Sequence, residues 1–189
     1  MPRPEMRASH LQSNVAALDD LGAVWARRVR DAVPDEVLRE IEESVRVAWL
    51  PLELDEALTG AVERVCGRDR MRRWSRDAIA RSAEGPLLGP IMGALTRIGL
   101  TPHLALGRVP RGWGLVYRHC GHLRYERTGE TSGELVHEDV PDLVLHNRPY
   151  LEGIGGSMDG IMELSGGPQP HAEVVVEPDA RRVRYRCRW

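Results

Sequence analysis

The side chains best suited to metal chemistry lie close together in one short stretch of this sequence. His119, Cys120 and His122 offer imidazole and thiol groups, which zinc accepts as ligands. Cys120 and His122 also project to the same side of a predicted strand. A closed zinc site needs four ligands, and no Cys-x-x-Cys is present to complete one. A fourth ligand would have to come from His137, His146 or Cys187. We expect half-exposed strand residues here and no metal or cofactor, with this trio as the fallback metal candidate.

Catalytic chemistry has little support in the residues. The chain contains no lysine, which excludes a Schiff base and a Walker A phosphate site. The stretch GIGGSMDG fits neither G-x-G-x-x-G nor G-x-S-x-G, because Met158 and Asp159 occupy the final glycine positions. An enzyme that uses His119 or His137 is the alternative, although neither lies at a defensible nucleophile–base spacing. We therefore expect a non-catalytic protein with no catalytic residue.

Positive charge is concentrated between residues 64 and 81. Guanidinium groups bind carboxylates and phosphates, so Arg72, Arg73 and Arg76 are candidates for binding an acidic protein partner. The alternative is a solvated helix face with weak intrahelical pairs such as Arg73 with Asp77. The formal net charge of −2 provides no general attraction to nucleic acid, which is not expected as a partner.

The length and the distribution of apolar residues favour one compact domain. A chain of 189 residues fits a single core, and no apolar run approaches the ~18 residues that cross a bilayer, so no membrane partner is expected. Three scattered cysteines and a polar start predict a cytoplasmic protein. We expect a flexible segment over 1–12 and one domain over 13–189. Its helical half spans 13–99, and its sheet and crossing helix span 108–189.

Apolar spacing changes from helical to alternating near the middle of the chain. Five one-sided helices are predicted in the N-terminal half, the last of them ending at Gly99. Beyond it, Trp113, Leu115 and Tyr117 share one face of a predicted strand, with a bend or bulge at Gly121. Residues 133–140 predict a further strand, and 142–149 fit either a strand or the start of a helix.

The last eighteen residues carry the clearest structural pattern, and a glycine-rich helix precedes them. A helix over 150–165 contains three interior glycines that each cost ~1 kcal/mol relative to alanine, which is reasonable if another backbone lies against them. A terminal hairpin pairs Glu177 with Arg182 on one face and Val174 with Tyr185 on the other. The same register sets Glu173 opposite Arg186 and Val176 opposite Val183. The predicted fold class is α+β: a helical half packed on a small antiparallel sheet crossed by the glycine-rich helix.

The order of these segments resembles a known superfamily. A helical half is followed by TRIGLTPHL, a strand pair, YLEGIGGSMDGIMELSGG, VVVE and RVRYRCRW. This order is similar to that of heme-nitric-oxide-binding (H-NOX) domains, vinyl-reductase-type domains and TRAPP subunits. The stretches AWLPLELDEALTGAVERVCG and VPRGWGLVYRHCGHL resemble an uncharacterised paralogous family found mainly in myxobacteria.

The resemblance fails where heme chemistry would lie. Heme-binding members carry a histidine iron ligand, and here Thr96 stands at that place, with His103 several residues out of register. Their Tyr-x-Ser-x-Arg motif for the heme propionates is also missing from the sequence. The resemblance therefore implies a heme-free domain.

The resemblance also implies a binding role. A pocket between the helices and the sheet, lined by Tyr117, His119, Leu123 and Tyr150, would take an apolar small molecule, or would be filled by side chains. The role would be small-molecule sensing or protein interaction in signalling, and an uncapped sheet edge would form a homodimer.

Overall fold

The computed structural model describes residues 2–84, 89 and 99–189. The predicted fifth helix and Thr96 lie outside the described residues, apart from Gly89 and the end of that helix at Gly99. The N-terminal elements are β1 (Glu5–Arg7), α1 (Ala8–Ala16), a 3-10 helix (Ala17–Leu21), α2 (Ala23–Ala32), α3 (Asp35–Glu43), β2 (Trp49–Pro51), α4 (Leu52–Cys66) and α5 (Arg68–Glu84).

The C-terminal elements alternate short helices with the strands of the larger sheet. They are α6 (Pro102–Leu106), α7 (Val109–Val116), β3 (Tyr117–Arg118), β4 (His122–Arg127), β5 (Ser132–Glu138), α8 (Asp142–Leu145), α9 (Arg148–Leu164), β6 (His171–Glu177), a 3-10 helix (Pro178–Ala180) and β7 (Arg182–Arg188). Within the described part of the chain, no helix is both long and apolar enough to cross a membrane.

Two antiparallel sheets organise the fold. The smaller has the order β2-β1-β3, and the larger has the order β4-β5-β7-β6. In the smaller sheet Met6 pairs with Leu50 and with Tyr117, and its side chain is completely buried. The prediction of a flexible segment over 1–12 is therefore wrong for residues 5–12, which form β1 and the start of α1. Charged Glu5 and Arg7 on either side of Met6 disguise a strand only three residues long.

The α+β fold class and the terminal hairpin are confirmed. Strands β6 and β7 pair Glu177 with Arg182 and Val174 with Tyr185, which is the predicted register. Tyr185 is fully buried, and Trp189 packs against the core at the end of β7. The hairpin thus contributes an apolar face to a core that also includes the N-terminal helices.

The glycines of α9 allow it to lie against the backbone of α5. A Cβ atom at Gly160 would lie 2.8 Å from the carbonyl oxygen of Arg76, and one at Gly156 would lie 3.1 Å from the Cα of Arg72. Real side chains do not tolerate such contacts with backbone. The predicted close approach is confirmed, and its partner is α5.

Two strand predictions around residue 117 need correction. Residues 109–116 form helix α7, because Pro110 suits the first turn of a helix. The helix buries Trp113 and Val116 on one face and leaves Leu115 exposed. At Gly121 the chain passes from one sheet to the other, with no bulge in a continuous strand. The ambiguous stretch 142–149 is helical: α8 comes first, and the Asn147 side chain then caps α9.

Candidate functional site

A buried carboxylate lies in the interior between α1, α4 and α9. The side chain of Asp55, on α4, belongs to a residue only 3% exposed, and its Oδ1 accepts a hydrogen bond of 2.8 Å from Nδ2 of Asn14. The backbone oxygen of Asn14 accepts in turn from Nε1 of buried Trp74 at 3.1 Å. These contacts hold the carboxylate in place inside an otherwise apolar core.

The environment of Asp55 shifts its titration toward neutral pH. Burial raises its pKa from 3.8 to about 6, and the nearby Asn14 amide and Tyr150 hydroxyl offset part of that rise. The next residue, Glu56, is half-buried, and desolvation raises its pKa to about 7, with Glu53 and Asp55 adding repulsion. Nδ2 of Asn147 donates to Glu56 Oε1 at 3.0 Å, which connects this acidic turn to the cap of α9.

Two tyrosines and a tryptophan form the aromatic wall beside Asp55. The ring of Trp113 stacks on Tyr117, with centroids 3.9 Å apart. Tyr150, at the start of α9, is 3% exposed and lies close enough to Asp55 and Tyr117 for their charges to affect it. Burial raises the pKa of both tyrosines well above 10, so both are neutral phenols.

A neutral histidine borders the same aromatic group. His137, on β5, is fully buried and meets Trp113 edge to face, with ring centroids 4.9 Å apart. Its Nε2 lies 2.6 Å from the carbonyl oxygen of Cys120. Burial lowers the pKa of His137 to about 4, which keeps the ring uncharged at neutral pH.

Several polar atoms in this interior have no hydrogen-bond partner of normal geometry among the described residues. They are Nε1 of Trp113, Nδ1 of His137, and the hydroxyls of Tyr150 and Tyr185. An unpaired buried polar group costs ~1–3 kcal/mol, so natural interiors rarely keep them without a ligand, an ion or ordered water. Tyr150 lies near Asp55 and Tyr117, Trp113 stacks on Tyr117, and His137 meets Trp113, so the interior around this aromatic group is the candidate site.

The structure brings together part of the predicted pocket. Leu123 and Tyr150 are buried and Tyr117 packs half-buried against the core, and both tyrosines lie close enough to Asp55 for its charge to affect them. His119 is exposed, on a backbone turn with φ of 54°, and lies outside this group.

Sequence reasoning missed Asp55 and Trp113 as site residues, and it considered His137 only for metal binding or catalysis. One pattern would have indicated Asp55, since Thr59 and Val62 follow it at helical spacing on a buried face of α4.

The fallback metal candidates do not converge. Sγ of Cys120 is 3.1 Å from the carbonyl oxygen of Arg118, and its burial raises the thiol pKa to about 12. His122 is exposed and faces the carboxylates of Glu138 and Asp139. Across residues 2–84 and 99–189, no group of three or more histidine, cysteine or acidic side chains is placed to hold a metal ion.

The arginine candidates on α5 are largely engaged within the molecule. Arg72 forms ion pairs with Glu152 at 2.5 Å and with Asp159 at 2.6 Å, joining α5 to α9. Arg76 pairs with Asp77, so the Arg73–Asp77 pair considered from the sequence is not seen. Arg73 is exposed and makes no ion pair with the described residues. Only this member of the trio presents its charge freely to a partner.

Comparison with solved structures identifies the architecture. A mutant of T. tengcongensis H-NOX matches with a TM-score of 0.62 and 14% identity, over 97% of this chain and 97% of that one. The fold is that of H-NOX domains. The Fe(II) unliganded H-NOX protein from K. algicida gives 0.60 and 11%, over 97% and 96%. An oxygen-binding H-NOX domain related to soluble guanylate cyclases gives 0.62 and 12%, over 97% and 93%.

These low identities establish the fold alone. No protein-family model matches the chain, and no curated protein matches it. One similar H-NOX structure is described in terms of heme distortion, which makes heme the group to test against the described residues.

The described residues around Asp55 do not fit heme. Heme iron needs an axial donor such as histidine, thiolate or tyrosinate, yet Sγ of Cys120 already contacts the carbonyl oxygen of Arg118 at 3.1 Å and the Tyr117 ring is stacked on Trp113. The remaining imidazole, that of His137, is fully buried and meets the Trp113 ring edge to face, so no porphyrin plane fits between the two rings. Heme also carries carboxylates, which would meet the buried Asp55 carboxylate in this interior. A second anion here would be repelled.

Proposed function

We propose that this chain is a non-catalytic, heme-free domain that senses a small, mainly apolar molecule bound in the interior around Asp55. The observation that carries the proposal is that Nε1 of Trp113 and Nδ1 of His137 are buried among aromatic rings and have no hydrogen-bond partner among the described residues. Ligand sites combine apolar walls with a few polar groups that orient the ligand. Trp113, Tyr117 and Tyr150 supply this combination.

Two features favour sensing over catalysis. The histidines considered for an enzyme are separated by their environments, because His119 is exposed and His137 is buried and neutral. The similar oxygen-binding H-NOX domain also binds a small molecule. A bound molecule held in place without reacting is the simpler use of this interior.

The position of Tyr150 offers a route for a signal. It lies in the first turn of α9, whose capping residue Asn147 also bonds Glu56 beside Asp55. Helix α9 packs on α5 through its glycines and on β6 through Gly155 and Val174. A ligand that moves Tyr150 would therefore shift a helix that contacts both the helical half and the larger sheet.

Native mass spectrometry of the purified protein tests the proposal. We expect a retained small molecule in addition to the polypeptide mass, and weaker retention in Tyr150→Phe. Tyr125→Phe is the matched control, because Tyr125 bonds His103 outside this group. A protein that retains nothing, and that no apolar compound stabilises in a thermal-shift screen, would remove the sensing proposal. A stoichiometric Soret band after expression with hemin would remove its heme-free part.

Three finer statements stay predictions from the sequence. They are a cytoplasmic location, a homodimer, and membership of the myxobacterial paralogous group. An acidic protein partner bound through Arg72, Arg73 and Arg76 finds less support, because Arg72 and Arg76 are already ion-paired within the chain.

A further inference from the structure

Two unpaired polar atoms in the interior belong to side chains that touch each other. Trp113 is 8% exposed and His137 is fully buried, and their rings meet edge to face. Nε1 of Trp113 and Nδ1 of His137 both lack a hydrogen-bond partner among the described residues. Because the two rings are in contact, both unpaired atoms belong to the same small region of the interior.

The chemistry of the two atoms is complementary. An indole N–H can only donate a hydrogen bond. Nε2 of His137 faces the carbonyl oxygen of Cys120, which can only accept, so Nε2 carries the proton. In the neutral ring Nδ1 is then left with a lone pair and can only accept. The site thus presents one donor and one acceptor to a common occupant.

We propose that the molecule bound by this domain carries a hydroxyl group that accepts a hydrogen bond from Nε1 of Trp113 and donates one to Nδ1 of His137. This inference rests on the proposed function and specifies the chemical class of its ligand. A hydroxyl is the smallest ligand group that both donates and accepts. A carboxylate-bearing ligand is disfavoured, because an ionised carboxylate cannot donate a hydrogen bond to Nδ1 of His137.

A matched series of probes separates this inference from the proposed function. The purified full chain is titrated with toluene, anisole and phenol, which offer no hydrogen bond, an acceptor only, and both an acceptor and a donor. Binding is measured by calorimetry, and the Trp113 indole N–H and the His137 ring nitrogens are followed by NMR. We expect phenol to bind about tenfold more tightly than toluene, with anisole between them.

Variants assign the two hydrogen bonds. In His137→Phe we expect the affinity for phenol to fall to that for anisole, and in Trp113→Phe we expect the advantage of anisole over toluene to disappear. His122→Gln is the control, because His122 is exposed on the adjacent strand. If a core variant does not fold, the comparison of phenol with anisole on the unaltered chain decides the question.

Each outcome has a distinct meaning. Equal affinities for the three probes would overturn the hydroxyl inference while leaving an apolar binding site. Phenol binding without a change in the Trp113 and His137 signals would also overturn it, because another partner such as bound water would then hold both atoms. No binding of any probe would count against the hydroxyl inference and the proposed function together.

Discussion

Replacing Gly156 by alanine tests the packing on which the site depends. Alanine normally favours a helix interior by ~1 kcal/mol over glycine. At Gly156 the added Cβ would lie 3.1 Å from both the Cα and the carbonyl carbon of Arg72, and nearer still to its carbonyl oxygen. Backbone of α5 cannot rotate away as a side chain can, and Arg72 is further held by Glu152 and Asp159.

The size of the effect follows from these contacts. Forcing an extra carbon into a packed core costs ~1–3 kcal/mol or more, which exceeds the gain in helix propensity. We expect Gly156→Ala to lower the free energy of unfolding by about 1–2 kcal/mol. Gly114→Ala in α7 is the matched control. A Cβ there meets nothing within 4 Å, so we expect a gain of about 0.5–1 kcal/mol.

Thermal denaturation followed by circular dichroism measures both variants against the unaltered protein. For a chain of this length, each 1 kcal/mol moves the thermal midpoint by roughly 2–4 °C, so the two variants should separate clearly and with opposite signs. If Gly156→Ala stabilised the protein as Gly114→Ala does, α9 would not lie against α5, and the position inferred for Tyr150 would be wrong.

Three further substitutions probe the interior. Burial raises the pKa of Asp55 to about 6, so the folded state binds its proton more tightly than the unfolded state. As the pH rises from 4 to 6, the free energy of unfolding should therefore fall by up to about 3 kcal/mol. In Asp55→Asn the urea midpoint should change less across the same pH range. Arg72→Met removes the cation between Glu152 and Asp159, and the free energy of unfolding measured by calorimetry should fall by about 3 kcal/mol. A loss near zero would show that these carboxylates are solvated. Tyr185→Phe removes an unpaired buried hydroxyl, so unfolding should show equal or up to about 1 kcal/mol greater stability, whereas a clear loss would reveal a hidden partner.

The hairpin and the glycine-rich helix were predictable because two independent patterns agree in each. In the hairpin one register satisfies both the charged face and the apolar face, as for Glu177 with Arg182 and Val174 with Tyr185. Around Trp113 two patterns of apolar residues conflict. Trp113, Leu115 and Tyr117 alternate as in a strand, whereas Trp113 and Val116 are spaced as on one face of a helix. Pro110 favours the helix because it suits a first helical turn. A segment this short is ambiguous when only the spacing of its apolar residues is considered.

The candidate site was only partly accessible from the sequence. The resemblance named Tyr117, Leu123 and Tyr150, which lie in the core or pack against it. Asp55 and His137 were not expected there, because what makes them notable is their burial beside aromatic rings from distant elements. Helical spacing places Asp55 on a buried face of α4, but it does not show which distant aromatic rings pack beside it.

The central place of β1 in its sheet has a consequence for how the molecule forms. Met6 pairs with Leu50 of β2 on one side and with Tyr117 of β3 on the other. In the sequence, Tyr117 comes only after the whole helical half. Closing contacts of such long sequence separation is slow, because chain entropy is lost before they form. Strand β1 can pair with β2 once Leu50 has been synthesised, but its pairing with β3 must wait for Tyr117, so the small sheet is completed late in folding.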